Sequence, residues 1–465
     1  MGAYDRAIDL AGPDTDVGLH LIGTRDFYGA WWGEAPDRDQ RRLRIRELAD
    51  DLDGSTTGRR QVLAADVVTA IHDGSTPATR AMRIVRRLER SELSWLDRQR
   101  DVTQGCAAFA LIICDDAGAA GLFENSAIPE CRRRGRLLDL AFALSCLAII
   151  RFRQGALLDA ESGGRTAWEI TRVVGESAAV FYYWSAAALI EILIARGVLE
   201  EAAALFEETG LSSHPPPIVL FPWPEMLRGE LMLAQGQVAE GVEVLLRTGA
   251  CLEDRGFTNP AYIPWRARVA PALTTLGRRE EARKVIGPAV QRARFFAAPW
   301  ALGMALRAAG IVEQGERGAG LLRESIATLE RSSCRLEHAR AQLELGAALR
   351  RAKQRTQARE HLRAALDMAH RCGAESLKSR AEQELAATGA RARRVVLGGL
   401  ESLTASERRI AELAAGGASN PAIAQQLFIT RKTVETHLGH VYRKLDVSGR
   451  QQLATVLPQR SSHVS

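Results

Sequence analysis

Lysine is almost missing from this chain. Of 62 basic residues only five are Lys, at 284, 353, 378, 432 and 444. None of them follows a Gly, so the phosphate loop G-x-x-x-x-G-K-[ST] is absent throughout. Long apolar runs are missing too. The best candidate, Leu137 to Ile150, contains Asp139 and lies between Arg136 and Arg151, short of the ~20 residues a membrane span needs. The N-terminus has no apolar signal core, and Arg6 breaks the myristoylation pattern. The seven cysteines (106, 114, 131, 146, 251, 334, 372) form no C-x-x-C pair, which points to buried thiols in a reduced, cytoplasmic protein. His214 has no Cys, His or carboxylate at ligand spacing, which argues against a metal there. No nucleophile, base and orienter stand at useful spacing, and no phospho-acceptor receiver is legible. The chain is therefore read as no enzyme and as needing no cofactor. Strand alternation is also scarce, so an all-α chain is expected.

What is present is a rhythm. From about residue 60, Ala- and Leu-rich helices end at glycines 74, 118, 155, 197, 236, 277 and 315, spaced 44, 37, 42, 39, 41 and 38 residues apart. The text after these turns repeats, as in Gly197-Val-Leu-Glu-Glu-Ala and Gly277-Arg-Arg-Glu-Glu-Ala. A further copy, Ala352 to Ala358, has Lys353 or Gln354 where the glycine would stand. Glycine suits a helix end because the next residue must turn left-handed. Two helices per period of about 40 residues predict an α-solenoid over residues 1–387, and the pattern resembles lengthened tetratricopeptide-type repeats. Residues 1–60 carry no such rhythm. There Trp31-Trp32-Gly33 and Glu34-Ala-Pro36 read as a turn and Arg41–Leu52 as a helix. The Trp pair either plugs the end of the stack or binds a partner. Five prolines between 215 and 224 make a long loop, which either only joins helix pairs or lines a concave binding surface.

The rhythm breaks at Thr388–Gly399, where three arginines and a Gly-Gly pair read as a basic linker. Beyond it, Thr404-Ala-Ser-Glu407 is a capping box, with Glu407 reaching back to the cap. That helix stops at Gly416-Gly417. Asn420-Pro421 reads as an N-cap followed by Pro at the first helical position. Phe428-Ile429-Thr430 makes a turn, with Thr430 capping the next helix. In that helix Val434, Leu438, Val441 and Leu445 form one apolar stripe, and Thr436 and Arg443 point away from it, flanked by Lys432, Gly439 and His440. Asp446–Arg450 breaks the chain, and Gln451–Leu457 is a last short helix.

Helix, Gly-Gly, capped short helix, turn and cationic helix make a helix-turn-helix. On Leu403, Thr404, Glu407, Leu413, Gly416, Ser419, Asn420, Ile423, Ala424, Leu427, Thr430, Thr433, Val434, His437, Lys444, Leu445 and Arg450, residues 400–465 resemble the LuxR-type (NarL/FixJ-like) DNA-binding domain. The resemblance implies a regulator of transcription. Its third helix would enter the major groove of promoter DNA, and its fourth, near 451–457, would pair two protomers. By position, Glu435, Thr436 and Gly439 fall where the family reads base edges. Arg431, Lys432, Thr433 and Arg443 fall where phosphate and base contacts cluster. With Thr430 and His440 these form the expected DNA-binding set. Glu435 departs from the Lys common there, and His437 lies on the packing side. Repeats joined to such a domain resemble the C-terminal half of large ATP-binding regulators of the MalT kind, here without the ATPase, and the repeats would take a protein or small-molecule effector. The alternative is a repeat scaffold with a vestigial DNA-binding end. Net charge is +6 and pI about 9.1 overall. From Leu400 onward eight cations against five acids leave only +3, so a lone domain should hold DNA weakly.

Overall fold

A computed structural model describes residues 2–32, 37–89, 103–175, 179–211, 222–389, 403, 405–427 and 429–457. Every regular element among them is a helix. From Leu137 onward the helices pair as expected: Leu137–Arg153 with Leu157–Val174, Ala179–Arg196 with Leu199–Glu208, Pro222–Ala234 with Val238–Asp254, and Trp265–Thr275 with Arg279–Phe296. Pro299–Glu313 with Gly315–Leu329 and Arg335–Arg351 with Arg355–Cys372 follow, and Glu375–Ala387 closes the array. This is a tetratricopeptide-like solenoid. Among the described residues no helix is long and apolar enough to cross a membrane. The Pro-rich stretch falls mostly at 212–221, and that part, with its His214, lies outside the described residues.

The turn inside the pairs is a Schellman cap at Gly155, Gly197, Gly236, Gly277 and Lys353, whereas before Gly315 a left-handed Gln314 donates to Gly310 O. At Gly155 (φ 80°) the glycine N–H donates to Phe152 O at 3.0 Å and Ala156 N–H to Arg151 O at 2.9 Å. A side chain at Gly155 would also strike Cys372 Sγ at 2.4 Å. The same pair of bonds recurs where the sequence has no glycine. Lys353 takes φ 61°, donating to Arg350 O at 3.0 Å while Gln354 reaches Leu349 O at 2.9 Å. A left-handed L-residue costs roughly 1–2 kcal/mol, part of which a glycine gives back as unfolded-chain entropy. Lys353→Gly is therefore expected to stabilise the array by about 0.5–1 kcal/mol. A thermal melt no higher than wild type would contradict this.

One expected turn moves. Gly118 sits at φ −83°, not left-handed. Thr103–Ile113 is followed instead by Asp115 at φ 61°, and the next left-handed glycine is Gly135, after a segment interrupted by a π turn at Phe123–Ala127. Asp tolerates this conformation when its side chain is engaged. Asp115 Oδ2 accepts from Trp300 N–H at 3.1 Å and Ser332 Oγ at 2.5 Å, and Oδ1 from Cys334 Sγ at 3.4 Å. The signal that displaced Gly118 was thus about 200 residues away in sequence.

The described residues among the first sixty are mostly helical. Gly2–Ala11, Asp16–Trp32 and Arg38–Asp51 precede Thr57–Asp73; Trp31 and Trp32 end a helix, and the rest of the expected turn, 33–36, lies outside the described residues. Helix Asp16–Trp32 lies hard against Thr57–Asp73. A Cβ on Gly23 would stand 2.5 Å from Gln61 C and 2.6 Å from Val62 N, so only glycine allows this approach. Arg25 fixes the N-terminal helix by donating to Asp5 Oδ1 at 2.7 Å and to Asp26 Oδ1 at 2.8 Å.

A long-range clasp closes the array on itself. The end of helix Thr57–Asp73 receives the 256–263 loop. Asn259 N–H donates to His72 O at 3.0 Å, Asn259 Nδ2 to Ile71 O at 2.9 Å, and Thr258 Oγ1 to Asp73 O at 2.7 Å. His72 is fully buried, its ring 4.7 Å from Phe257 and from Tyr262. Burial holds its pKa down to about 3, so it stays neutral. Cys114 and Cys131 are buried thiols pushed up to about 12 by the same cause, which makes them poor nucleophiles.

Candidate nucleic-acid interface

Four helices, Ala405–Ala415, Asn420–Leu427, Arg431–Leu445 and Arg450–Val456, form a separate small core. The expected stripe is its centre: Val434 and Val441 are 0% exposed, Leu438 4% and Leu445 8%. Ile410, Ala411, Ala414, Ile423 and Leu453 close over it. Burial of four aliphatic chains at ~1.5–3 kcal/mol each fixes the rotation of helix Arg431–Leu445 about its axis. That fixed rotation decides which side chains face outward.

The caps set where the helices begin and end. Gly417 (φ 87°) and Ala418 close the first helix, donating to Ala414 O and Leu413 O, each at 3.1 Å. Thr404 lies outside the described residues, and Glu407 has a partner beyond its own helix. Fully buried, it pairs through Oε2 with Lys444 Nζ at 2.6 Å, and Oε1 stands 3.8 Å from His440 Nδ1. The second helix is capped by Ser419, not Asn420. Ser419 Oγ accepts from Ala422 N–H at 3.3 Å, and Asn420 is the first helical residue. Asn420 Oδ1 instead accepts from Arg450 Nη2 at 3.0 Å, tying the second helix to the fourth. Phe428 lies outside the described residues. Thr430 caps the third helix as expected, its Oγ1 accepting from Thr433 N–H at 3.1 Å. Asp446, left-handed at φ 52°, ends that helix.

Of the expected contact residues, Arg431, Lys432, Glu435, Thr436, Gly439 and Arg443 are exposed; Lys432, Thr436, Gly439 and Arg443 lie opposite the stripe, with Arg431 and Glu435 along one edge of it. Thr430 and Thr433 join hydroxyls at 2.8 Å, so both serve the cap first. Thr436 Oγ1 donates to Lys432 O at 2.9 Å, leaving its lone pairs and methyl for a partner. Arg431 Nε donates to Glu435 Oε1 at 2.8 Å in the open. Glu435 therefore neutralises the first cation of the face. His440 is only half-exposed beside Glu407, so it belongs to the flank and not to the reading face.

His437 is 4% exposed, a packing residue. Burial lowers the pKa of both His437 and His440, with Lys444 and Arg443 among the opposing charges. A depressed folded pKa contributes stability that is complete above the ordinary histidine value near 6.5 and is lost as pH falls through the folded value. Amide-exchange protection over 405–457 in the full chain, corrected for the intrinsic rate at each pH, is accordingly expected to weaken as pH falls below about 6.5. A profile unchanged by His437→Phe would contradict it.

This is the architecture of a helix-turn-helix DNA-binding domain, with a third helix presenting a polar, cationic face. Residues 401–457 match the family model described as bacterial regulatory proteins, luxR family, so the C-terminal domain is of the LuxR type. An HTH-type transcriptional regulator of Mycobacterium bovis is 45% identical over 64 residues, 14% of this chain and 7% of that protein. The transcriptional regulatory protein LiaR of Bacillus subtilis is 52% identical over 54 residues, 12% of this chain and 26% of LiaR. The chain thus spans a small part of the length of the curated relatives it matches. A crystal structure of a Rap protein complexed with competence and sporulation factor superposes with a TM-score of 0.50 at 10% identity, covering 79% of this chain and all of that one. That likeness concerns the helical-repeat fold.

Proposed function

We propose that this chain is a sequence-specific DNA-binding transcriptional regulator. Residues 1–387 form the receiving unit, 388–399 a linker and 400–465 the DNA-binding unit. Helix 431–445 enters the major groove of a promoter, and the repeats take a protein or small-molecule signal. The observation that carries this is the exposed polar face of Arg431–Leu445, held in rotation by a fully buried stripe. Lys432, Thr433 and Arg443 grip phosphates. Thr436, Gly439 and Glu435 meet base edges, where a carboxylate accepts from a cytosine amine. With +3 from Leu400 onward, one domain is too weakly charged to hold a site alone, so two protomers pair through 451–457 on half-sites about one helical turn apart. The surroundings are the cytoplasm.

Selection of bound fragments from the genome, followed by a gel shift against random duplex at physiological salt, tests this. A preferred site bound well above random DNA is the expected result. No preference would leave a repeat scaffold with an idle DNA-binding end. Pull-downs with residues 1–390 and 391–465 would then show which half holds the partner.

A further inference from the structure

The inner side of the closed array contains a cavity of about 50 Å³. At roughly 10–15 Å³ per water, that is space for about four waters or a comparably small ligand. Its walls are aromatic. The Trp184 ring lies 4.7 Å from Phe109 and 4.7 Å from Trp223, and the Arg153 guanidinium stacks 3.7 Å over Trp300.

Two opposite charges, Glu191 and Arg153, reach this cavity, and among the described residues neither has an ion-pair partner closer than 4.0 Å. Around them the other charges pair off: Arg268 Nε with Glu230 at 2.8 Å, and Arg307 and Arg340 with Glu337. Glu191 is left with Arg268 Nη2 at 4.0 Å and, among the described residues, makes no hydrogen bond. Arg153 donates Nη1 to Ile112 O at 2.5 Å and forms no ion pair among the described residues. Burial raises the Glu191 carboxyl and lowers the Arg153 guanidinium, outweighing the attraction each exerts on the other. A third group is also unmet: the buried Trp184 Nε1–H has no acceptor.

An unpaired charge in an apolar enclosure is costly, and so is an unmet buried donor. A simple cation would satisfy Glu191 and oppose Arg153, and a simple anion would do the reverse. One small molecule carrying both charges satisfies both. We propose that the cavity binds a small zwitterion, an α-amino acid with a short alkyl side chain. Its ammonium pairs with Glu191, its carboxylate with Arg153 and Trp184 Nε1–H, and its alkyl group lies against Trp223 and Trp300. The cavity's size selects ligands from glycine to about valine. This rests on the reading that the repeats receive a signal, and supplies its chemical class.

The test is calorimetric titration and thermal melting of the full chain with glycine, alanine and valine. Isobutylamine and isovalerate serve as valine lacking one charge each. At least one of the three amino acids is expected to bind and raise the melting temperature by about 3 °C at saturation. For valine, both single-charge analogues should bind at least tenfold more weakly. Glu191→Gln should weaken binding at least tenfold. Trp184→Phe, which keeps the ring and removes the N–H, should weaken it severalfold and guards against a folding defect in the first variant. The proposal fails if none of the three binds, if isobutylamine or isovalerate binds as tightly as valine, or if both variants bind as wild type does. No binding with promoter recognition intact would remove this site and leave the regulator standing. Binding with no promoter recognition would do the opposite.

Discussion

Lys444→Met is expected to unfold the C-terminal domain while the repeats stay folded. Lys444 Nζ sits 2.6 Å from Glu407, whose side chain is fully buried. The substitution keeps the aliphatic length and removes the charge. Breaking a buried pair from one side costs about 3–5 kcal/mol, because the remaining carboxylate loses its partner in a dry place. A domain of this size has only a few kcal/mol to lose. His440, 3.8 Å away and held neutral by burial, is a poor substitute cation. Glu407→Leu combined with Lys444→Met should recover most of the loss, since an apolar pair leaves nothing unpaired. Amide exchange over 405–457 reads both. Equal protection in wild type and Lys444→Met would refute the argument.

Joint replacement of Lys432 and Arg443 by Ala is expected to abolish promoter binding at physiological salt and leave the domain folded. Both side chains are exposed on the face opposite the stripe, so removing them costs little in stability. Each phosphate contact contributes roughly fivefold at about 0.15 M salt, so a protomer loses about 25-fold and a bound pair several hundredfold. The slope of log affinity on log salt should fall by about one per contact removed. Glu435→Gln should move the other way. It frees Arg431 from its 2.8 Å pair and should strengthen binding to random duplex, at the expense of discrimination. An unchanged salt slope in the double variant would place the DNA on another face.

The third helix was legible because its determinants are local. Four aliphatics at helical spacing decide which side is buried, and Thr430 marks the start. Where the reading went astray, the deciding partner was distant. The capping box itself rests on Thr404, outside the described residues; what nothing nearby in sequence announces is that Glu407 also pairs with Lys444, 37 positions on. Asn420-Pro421 looks like a cap until Arg450 claims the Asn side chain and Ser419 takes its place. Gly118 looked like a turn glycine because it fell on the period, but Asp115 holds the turn through Trp300, Ser332 and Cys334. In the first sixty residues no rhythm pointed to Gly23, whose close approach to helix Thr57–Asp73 depends on a partner about forty residues on. His440 keeps the flanking place the helical wheel gave it, and what the wheel cannot know is the Glu407 carboxylate 3.8 Å from its ring.

The clasp between Asn259 and the end of helix Thr57–Asp73 joins positions 185 to 188 residues apart. An array whose units touch only their neighbours comes apart piecemeal from its ends, and its stability is close to a sum over units. Joining an early helix to a late loop removes a free end over that span. Fraying at residue 57 must then strip contacts from residue 259 as well, so the stretch between them should melt as one cooperative body. Such closure also slows assembly, because contacts this far apart must meet across a long, unformed loop before they contribute anything. The protein would thus gain a single sharp transition over residues 57–259 at the expense of folding speed.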